Sequence, residues 1–195
     1  NPPYVDSESM TKYNKKERDF LAKEYKSTRG NWDLFIPFIE KSLLLINKKG
    51  IASLITPNKW LSMGYGKKIR SLLKENLYQL SDFSNIKVFE DAGIFPIIFV
   101  INKKKNKDIN IKVFKNEFSF DERNINKALF AGLDNFGLFF SNKIELLTKL
   151  VSNNSPLSKF GNVSGAFTTS EAYELIPYIK EEGESFCDYL KFINT

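Results

Sequence analysis

The first four residues, Asn1-Pro2-Pro3-Tyr4, join an amide, two prolines and an aromatic ring in a pattern suited to holding an exocyclic amino group for alkylation. An amine attached to an aromatic ring is a poor nucleophile because its lone pair is delocalised into the ring. The Asn1 side-chain oxygen and the Pro2 backbone carbonyl can accept both amino hydrogens, drawing the nitrogen toward tetrahedral geometry and aiming its lone pair. Proline restricts φ and the conformation of the residue before it, so the acceptors are fixed before substrate arrives. Preorganised groups of this kind are typically worth about 3 kcal/mol each, and orientation of two reactants roughly 7 to 11 kcal/mol. Tyr4 offers a ring face to a flipped-out base, a contact worth about 1 to 3 kcal/mol. The competing reading is a proline-rich turn with a packed tyrosine.

Composition narrows the chemistry. The chain of 195 residues has no histidine, which excludes Ser-His-Asp and Cys-His nucleophile systems. With the single cysteine, Cys187, it also leaves no zinc site of the usual ligand count. One cysteine excludes an intrachain disulfide framework and fits a reducing cytoplasm. The longest apolar run, Ile94 to Ile101, falls far short of the roughly 20 residues that cross a bilayer, so a soluble, cytoplasmic protein with no membrane partner is expected. The first residue is not Met and no signal-peptide pattern follows, so the sequence is expected to begin inside a larger protein. A net charge of +6 and a pI near 9.2 suit a polyanionic partner, since lysines that neutralise phosphates release counterions; a solvated lysine-rich surface is the alternative.

The elements that must hold the opening motif read as alternating helices and strands. A charged helix is predicted near Met10 to Tyr25, within a polar segment of residues 5 to 30. Trp32 to Asn47 is the clearest amphipathic helix, with Leu34, Phe35, Phe38, Ile39, Leu43 and Ile46 at three-to-four spacing, Pro37 in its first turns and Gly50 ending it. Ile51 to Thr56 reads as a buried strand closed by the Pro57-Asn58 turn, and a helix follows from about Gly64 to Lys74. Strands are predicted at Tyr78 to Phe83, Phe95 to Asn102 and Ile109 to Phe114, with Lys103 to Asp108 as a hairpin tip, and a last helix at Asn142 to Val151. The order indicates an α/β architecture. Residues 152–157 read as a linker between a domain of residues 1–151 and an irregular or β-rich segment of residues 158–195.

With these motifs in order, the stretch from Asn1 to about Lys103 resembles the second half of the catalytic domain of gamma-class DNA adenine-N6 methyltransferases, including the methylase portions of fused restriction-modification proteins. Besides Asn1-Pro2-Pro3-Tyr4, the resemblance rests on Gly30-Asn31-Trp32-Asp33-Leu34, Phe38-Ile39-Glu40-Lys41, Gly50 through Ile55-Thr56-Pro57 to Trp60-Leu61, Ile69-Arg70 and Val88-Phe89.

It implies the C-terminal half of a Rossmann-like, doubly wound sheet, with Asn1 at the end of the preceding strand, at the carboxyl edge where such sheets bind ligands. It implies methyl transfer from S-adenosylmethionine to adenine N6 in a defined sequence of double-stranded DNA, with the main cofactor motifs upstream of Asn1. Asn1 and Pro2 would supply the acceptors, Tyr4 would stack on the base from within the Pro3-braced turn, and Phe89 would contact the base from its other side. Phe38 resembles an aromatic of the cofactor's adenine pocket. For Phe89 a core position is the alternative, and for Phe38 a core position on the amphipathic helix is the preferred reading. Residues 5 to 30 would close over the DNA, and residues 158–195 resemble the start of a target-recognition domain. An incomplete sheet would leave an open edge and exposed apolar faces that self-association could cover. The alternative from another class is a non-catalytic DNA-recognition or assembly module; methylation of RNA or of a protein glutamine is a variant of the same chemistry.

Overall fold

Alternating β-branched and aromatic runs, closed by turns, produce a single mixed sheet of five strands. The computed structural model describes residues 1–89, 93–131, 133–155 and 159–161. Residues Asn1–Asn154 form one compact unit and Ser155–Thr195 a second. The linker expected at residues 152–157 starts later than predicted, because a helix runs on to Asn153, and the recognition segment expected at 158–195 lies largely outside the described residues.

The strands are β1 (Ile51–Pro57), β2 (Leu77–Asp82), β3 (Pro96–Asn102), β4 (Asp108–Asn116) and β5 (Ser119–Asn126), in the order β1-β3-β2-β4-β5. β3 runs antiparallel to both β1 and β2, β4 is parallel to β2, and β5 returns antiparallel to β4. The sheet is therefore mixed, where the doubly wound expectation suggested parallel strands. Lys103 to Asp108 is not a hairpin tip: it crosses over β2 to join two strands that are not neighbours. The hairpin is β4–β5. β5 escapes prediction because its sequence, SFDERNIN, is polar and buries little beyond Ile125; it forms by extending the β4 ladder.

The helices are α1 (Ser7–Tyr13), α2 (Lys15–Glu24), α3 (Phe35–Leu45), α4 (Lys67–Leu73) and α5 (Ile144–Asn153). The charged helix predicted from Met10 to Tyr25 is two helices broken at Asn14, whose φ of −131° is not helical. Asparagine competes with helix by bonding its own backbone, so it suits such a junction. Asp6 caps α1 by accepting the Ser9 amide at 2.9 Å. Pro37 lies in the first turn of α3, where no intrahelical donor is required. α3 ends at Leu45, before Gly50, because Ile46 turns to extended backbone.

The core gathers Trp60, Phe99, Phe136 and Phe139 with Ile36, Ile39, Ile69, Leu73, Leu80 and Ile97. Trp60 packs edge-on against Phe99 at 5.3 Å and donates its indole N–H to Thr56 Oγ1 at 3.0 Å, which leaves no buried donor unpaired there. Arg70, 3% exposed, donates to the Trp60 and Met63 carbonyls at 2.7 and 2.9 Å and meets Asp134 at 3.3 Å. Gly64-Tyr65-Gly66 is a 3-10 turn against this cluster rather than a phosphate loop. Gly66 is small because a Cβ there would run into the Trp60 carbonyl. Among the described residues no helix is long and apolar enough to cross a membrane.

Candidate functional site

Strand directions decide where the site lies. β1, β2 and β4 end at Pro57, Asp82 and Asn116 on one edge of the sheet. The opening motif reaches this edge through Tyr4, whose hydroxyl donates to the Ile55 carbonyl at 3.0 Å. Just beyond it, the Leu34 amide donates to the Val5 carbonyl at 2.9 Å. Asp33 accepts the Ser7 amide at 3.1 Å through one oxygen and the Tyr65 hydroxyl at 3.2 Å through the other. The motif is thus tied to β1 and to the residues before α3 by bonds that span 26 to 51 positions in sequence. Burial, reinforced by the Asp33 charge, pushes the Tyr65 phenol up, so it remains a neutral donor to that carboxylate.

Within the motif, Pro2 is buried, Tyr4 is half-buried, and Asn1 and Pro3 are exposed. Burial raises the Tyr4 phenol above its ordinary range, so it too acts only as a neutral donor. Phe89, from the loop after β2, meets Tyr4 at 6.0 Å with the rings at 86°, and Phe35 meets it at 6.4 Å and 83°. Two residues 85 positions apart are therefore neighbours, but edge to face. No parallel slot for a base lies between Tyr4 and Phe89 in this arrangement.

A cleft of about 150 Å³ opens beside them, bordered by Tyr4, Asp33, Phe35, Asn58, Lys59 and Phe95. Its floor is braced by the turns that end β1 and β2: Asn58 Nδ2 donates to Ser84 Oγ at 3.3 Å, and Asp82 accepts both the Ser84 amide and its hydroxyl. Asn58 and Lys59 belong to this site and carry no warning in sequence beyond their place after a strand-ending proline.

Phe38 is apart from this cluster. It is 45% exposed, which overturns the core reading, and lines a second, apolar cleft with Val5, Met10, Phe20, Leu21 and Leu34. The amphipathic spacing gave no warning of this, because α3 buries Phe35, Ile36 and Ile39 and turns Phe38 outward. Glu40, buried two residues on, accepts the Lys26 and Ser27 amides at 3.2 and 2.7 Å and fastens the end of the charged segment to α3. Arg18 anchors α2 by donating to the Trp32 and Gly30 carbonyls while lying 4.2 Å over the Trp32 ring. No group of three or more His, Cys, Asp or Glu side chains able to hold a metal occurs among the described residues.

Comparison with known proteins agrees with this arrangement. Residues 1–89 match the family model described as Eco57I restriction-modification methylase. The chain is 26% identical over 196 residues to the type II restriction enzyme and methyltransferase RM.Eco57I of Escherichia coli, a match that covers 93% of this chain and 19% of that protein. The matched part of the chain is thus similar to restriction-modification type methylases. It is 32% identical over 123 residues to the type II methyltransferase M.BstVI of Geobacillus stearothermophilus, covering 57% of this chain and 20% of the relative. The fold resembles that of the type IIG restriction endonuclease BpuSI, with a TM-score of 0.54 at 15% identity over 79% of this chain and 22% of the other. The chain spans about a fifth of the length of the curated relatives it matches.

Proposed function

We propose that the whole protein transfers a methyl group from S-adenosylmethionine to adenine N6 in a specific double-stranded DNA sequence, and that residues 1–89 carry its base-holding half. The observation that supports this most is the meeting of Tyr4 and Phe89 beside Asn1 at the carboxyl edge of the sheet, next to an open cleft. In this reading Asn1 Oδ1 and the Pro2 carbonyl accept the two amino hydrogens of a flipped-out adenine, and Tyr4 stacks on its face. The bond from Tyr4 to Ile55 sets the ring's height above the sheet. Phe89 turns from its edge-on position to cover the other face, which its half-exposed place in a loop permits.

S-adenosylmethionine supplies a sulfonium-activated methyl group, and its principal binding motifs lie outside this sequence. The exposed, apolar setting of Phe38 suits stacking against its adenine ring. Asn1 Oδ1 and the Pro2 carbonyl would hold the two amino hydrogens so that the nitrogen lone pair faces the methyl donor, and the surplus proton would pass to water. Desolvation and orientation by the Asn1-Pro2 acceptors replace a general base in making the amine nucleophilic. We assign residues 1–151 to this catalytic domain and residues 158–195 to the start of the DNA-recognition domain, with a fused nuclease elsewhere in the protein, as the name of RM.Eco57I suggests for that relative.

The test is transfer of labelled methyl groups by the whole protein to duplexes with and without adenine. Label retained in N6-methyladenine supports the reading. Label on cytosine, or equal label with Asn1→Ala, overturns it.

A further inference from the structure

The positive charge of this protein is not where its substrate would lie. Four loops come together at the edge of the sheet opposite Tyr4: residues 46–50 before β1, 74–76 before β2, 103–108 between β3 and β4, and 126–127 after β5. They contain Lys48, Lys49, Lys74, Lys103, Lys104, Lys105, Lys107 and Lys127 against only Glu75 and Asp108, a surplus equal to the whole formal charge of +6. The loops at the Tyr4 edge carry no such surplus, with Lys59, Lys87 and Lys115 against Asp6, Asp33, Asp82 and Glu117.

The basic loops are laced into one platform. Lys103 Nζ donates to the Ile46 carbonyl at 2.5 Å, the Asn102 amide to Asn76 at 2.9 Å, the Lys127 amide to Lys107 at 2.8 Å, and Lys127 Nζ to Glu75 at 2.8 Å. Lys48, Lys49, Lys104, Lys105 and Lys107 are exposed and paired with no carboxylate among the described residues. Eight like charges held on folded loops repel one another, and burial already lowers the pKa of Lys127, so the arrangement costs stability unless an anion meets it.

We propose that this edge is a second, sequence-independent contact for the phosphate backbone of duplex DNA, separate from the edge that takes the target base. The proposal rests on the reading that the substrate is DNA. Five strands at roughly 4.8 Å spacing make the platform about 19 Å wide, the length over which one DNA strand presents about five or six phosphates at 3.4 Å each. Asn106, Asn110, Asn124, Asn126 and Gln79 line its two hollows with the lysines, together with Glu75, Asp108 and Glu122. Ammonium and amide donors suit phosphate oxygens. A strand of seven residues is roughly 23 Å long, so one straight duplex cannot lie across both edges. The platform holds a flanking segment that bends round, or a second duplex.

The experiment measures binding of the 195-residue chain to an adenine-free duplex of alternating dG and dC across a salt series, without cofactor. K104Q/K105Q/K107Q should lower affinity at least tenfold at about 0.1 M salt and reduce the slope of log K against log salt by about 2 to 3, whereas K41Q/K115Q/K143Q, which removes equal charge elsewhere, should shift it much less. K48Q/K49Q, on a different loop, should act in the same direction, and circular dichroism should show each variant folded. Equal effects of the two triple variants, or no effect of the first, overturn the proposal. So does displacement of the duplex by a polyglutamate peptide at matched charge, which would make the partner an acidic protein. Because the probe has no adenine, a protein that binds it through these lysines but fails to methylate overturns only the methyl-transfer reading.

Discussion

The two edges of the sheet solve opposite problems. At the carboxyl edge, Tyr4, Phe35 and Phe89 meet edge to face, lysines bring no surplus of charge, and the chain is pinned by directional bonds such as Tyr4 to Ile55 and Ser7 to Asp33. At the other edge, lysines crowd on short loops with few carboxylates near them. Reaction geometry is lost over fractions of an ångström, so it needs buried, hydrogen-bonded support. Attraction to a polyanion acts through a screened field about 10 Å deep at 0.1 M salt, so it needs charge and little geometry. On the proposed reading the same five strands serve both, because their two ends are independent.

Substitutions should separate the edges in kind as well as size. The largest effect is expected for Asn1→Ala in the whole protein, which should slow methyl transfer by about a hundredfold or more. If it changes the salt dependence of DNA binding instead, the division of labour fails. Next is Arg70→Met, which strips the Trp60 and Met63 carbonyls of a buried donor beneath the carboxyl edge. It should lower the unfolding free energy by roughly 3 kcal/mol in denaturant titration. K104Q/K105Q/K107Q, by contrast, should move that free energy by less than about 0.5 kcal/mol while altering DNA affinity. A comparable loss of stability would mean that these lysines are structural.

A smaller effect belongs to Tyr4→Phe, which deletes the bond to Ile55 and keeps the ring. It should cost about 1 kcal/mol of stability and leave transfer within a few fold, whereas Tyr4→Ala should lose the stacking contribution of about 1 to 3 kcal/mol. The smallest concerns pH. The Ser9 amide and hydroxyl hold the Asp6 carboxyl below its usual value, so its cap on α1 is fully present above the ordinary carboxylate range and is lost as pH falls through the lowered value. Amide exchange in α1 should quicken in that acid window, and Asp6→Asn should flatten the dependence.

Much of the arrangement was legible because local chemistry and periodicity agree. β1, β3 and α3 announce themselves by apolar runs and three-to-four spacing, and Pro57 marks where β1 stops. β5 did not, because a polar edge strand draws its order from the β4 ladder rather than from its own residues. The break at Asn14 was hidden inside a run of good helix formers. Phe38 was misleading because a helix wide enough in apolar residues leaves some of them outside. The same spacing fits both outcomes.

The sequence by itself determined the chemistry on offer: an amide and a carbonyl before a tyrosine, no imidazole to act as base, and a positive net charge. Those follow from residue type, and no folding alters them. The tertiary structure alone decided which residues meet and where the charge goes. Tyr4 and Phe89 become neighbours, and eight lysines from four loops gather at the far edge, because strand pairing fixes which chain ends share a side. Strand order is set by non-local hydrogen bonds and burial, and neither is written in the spacing of residues along the chain.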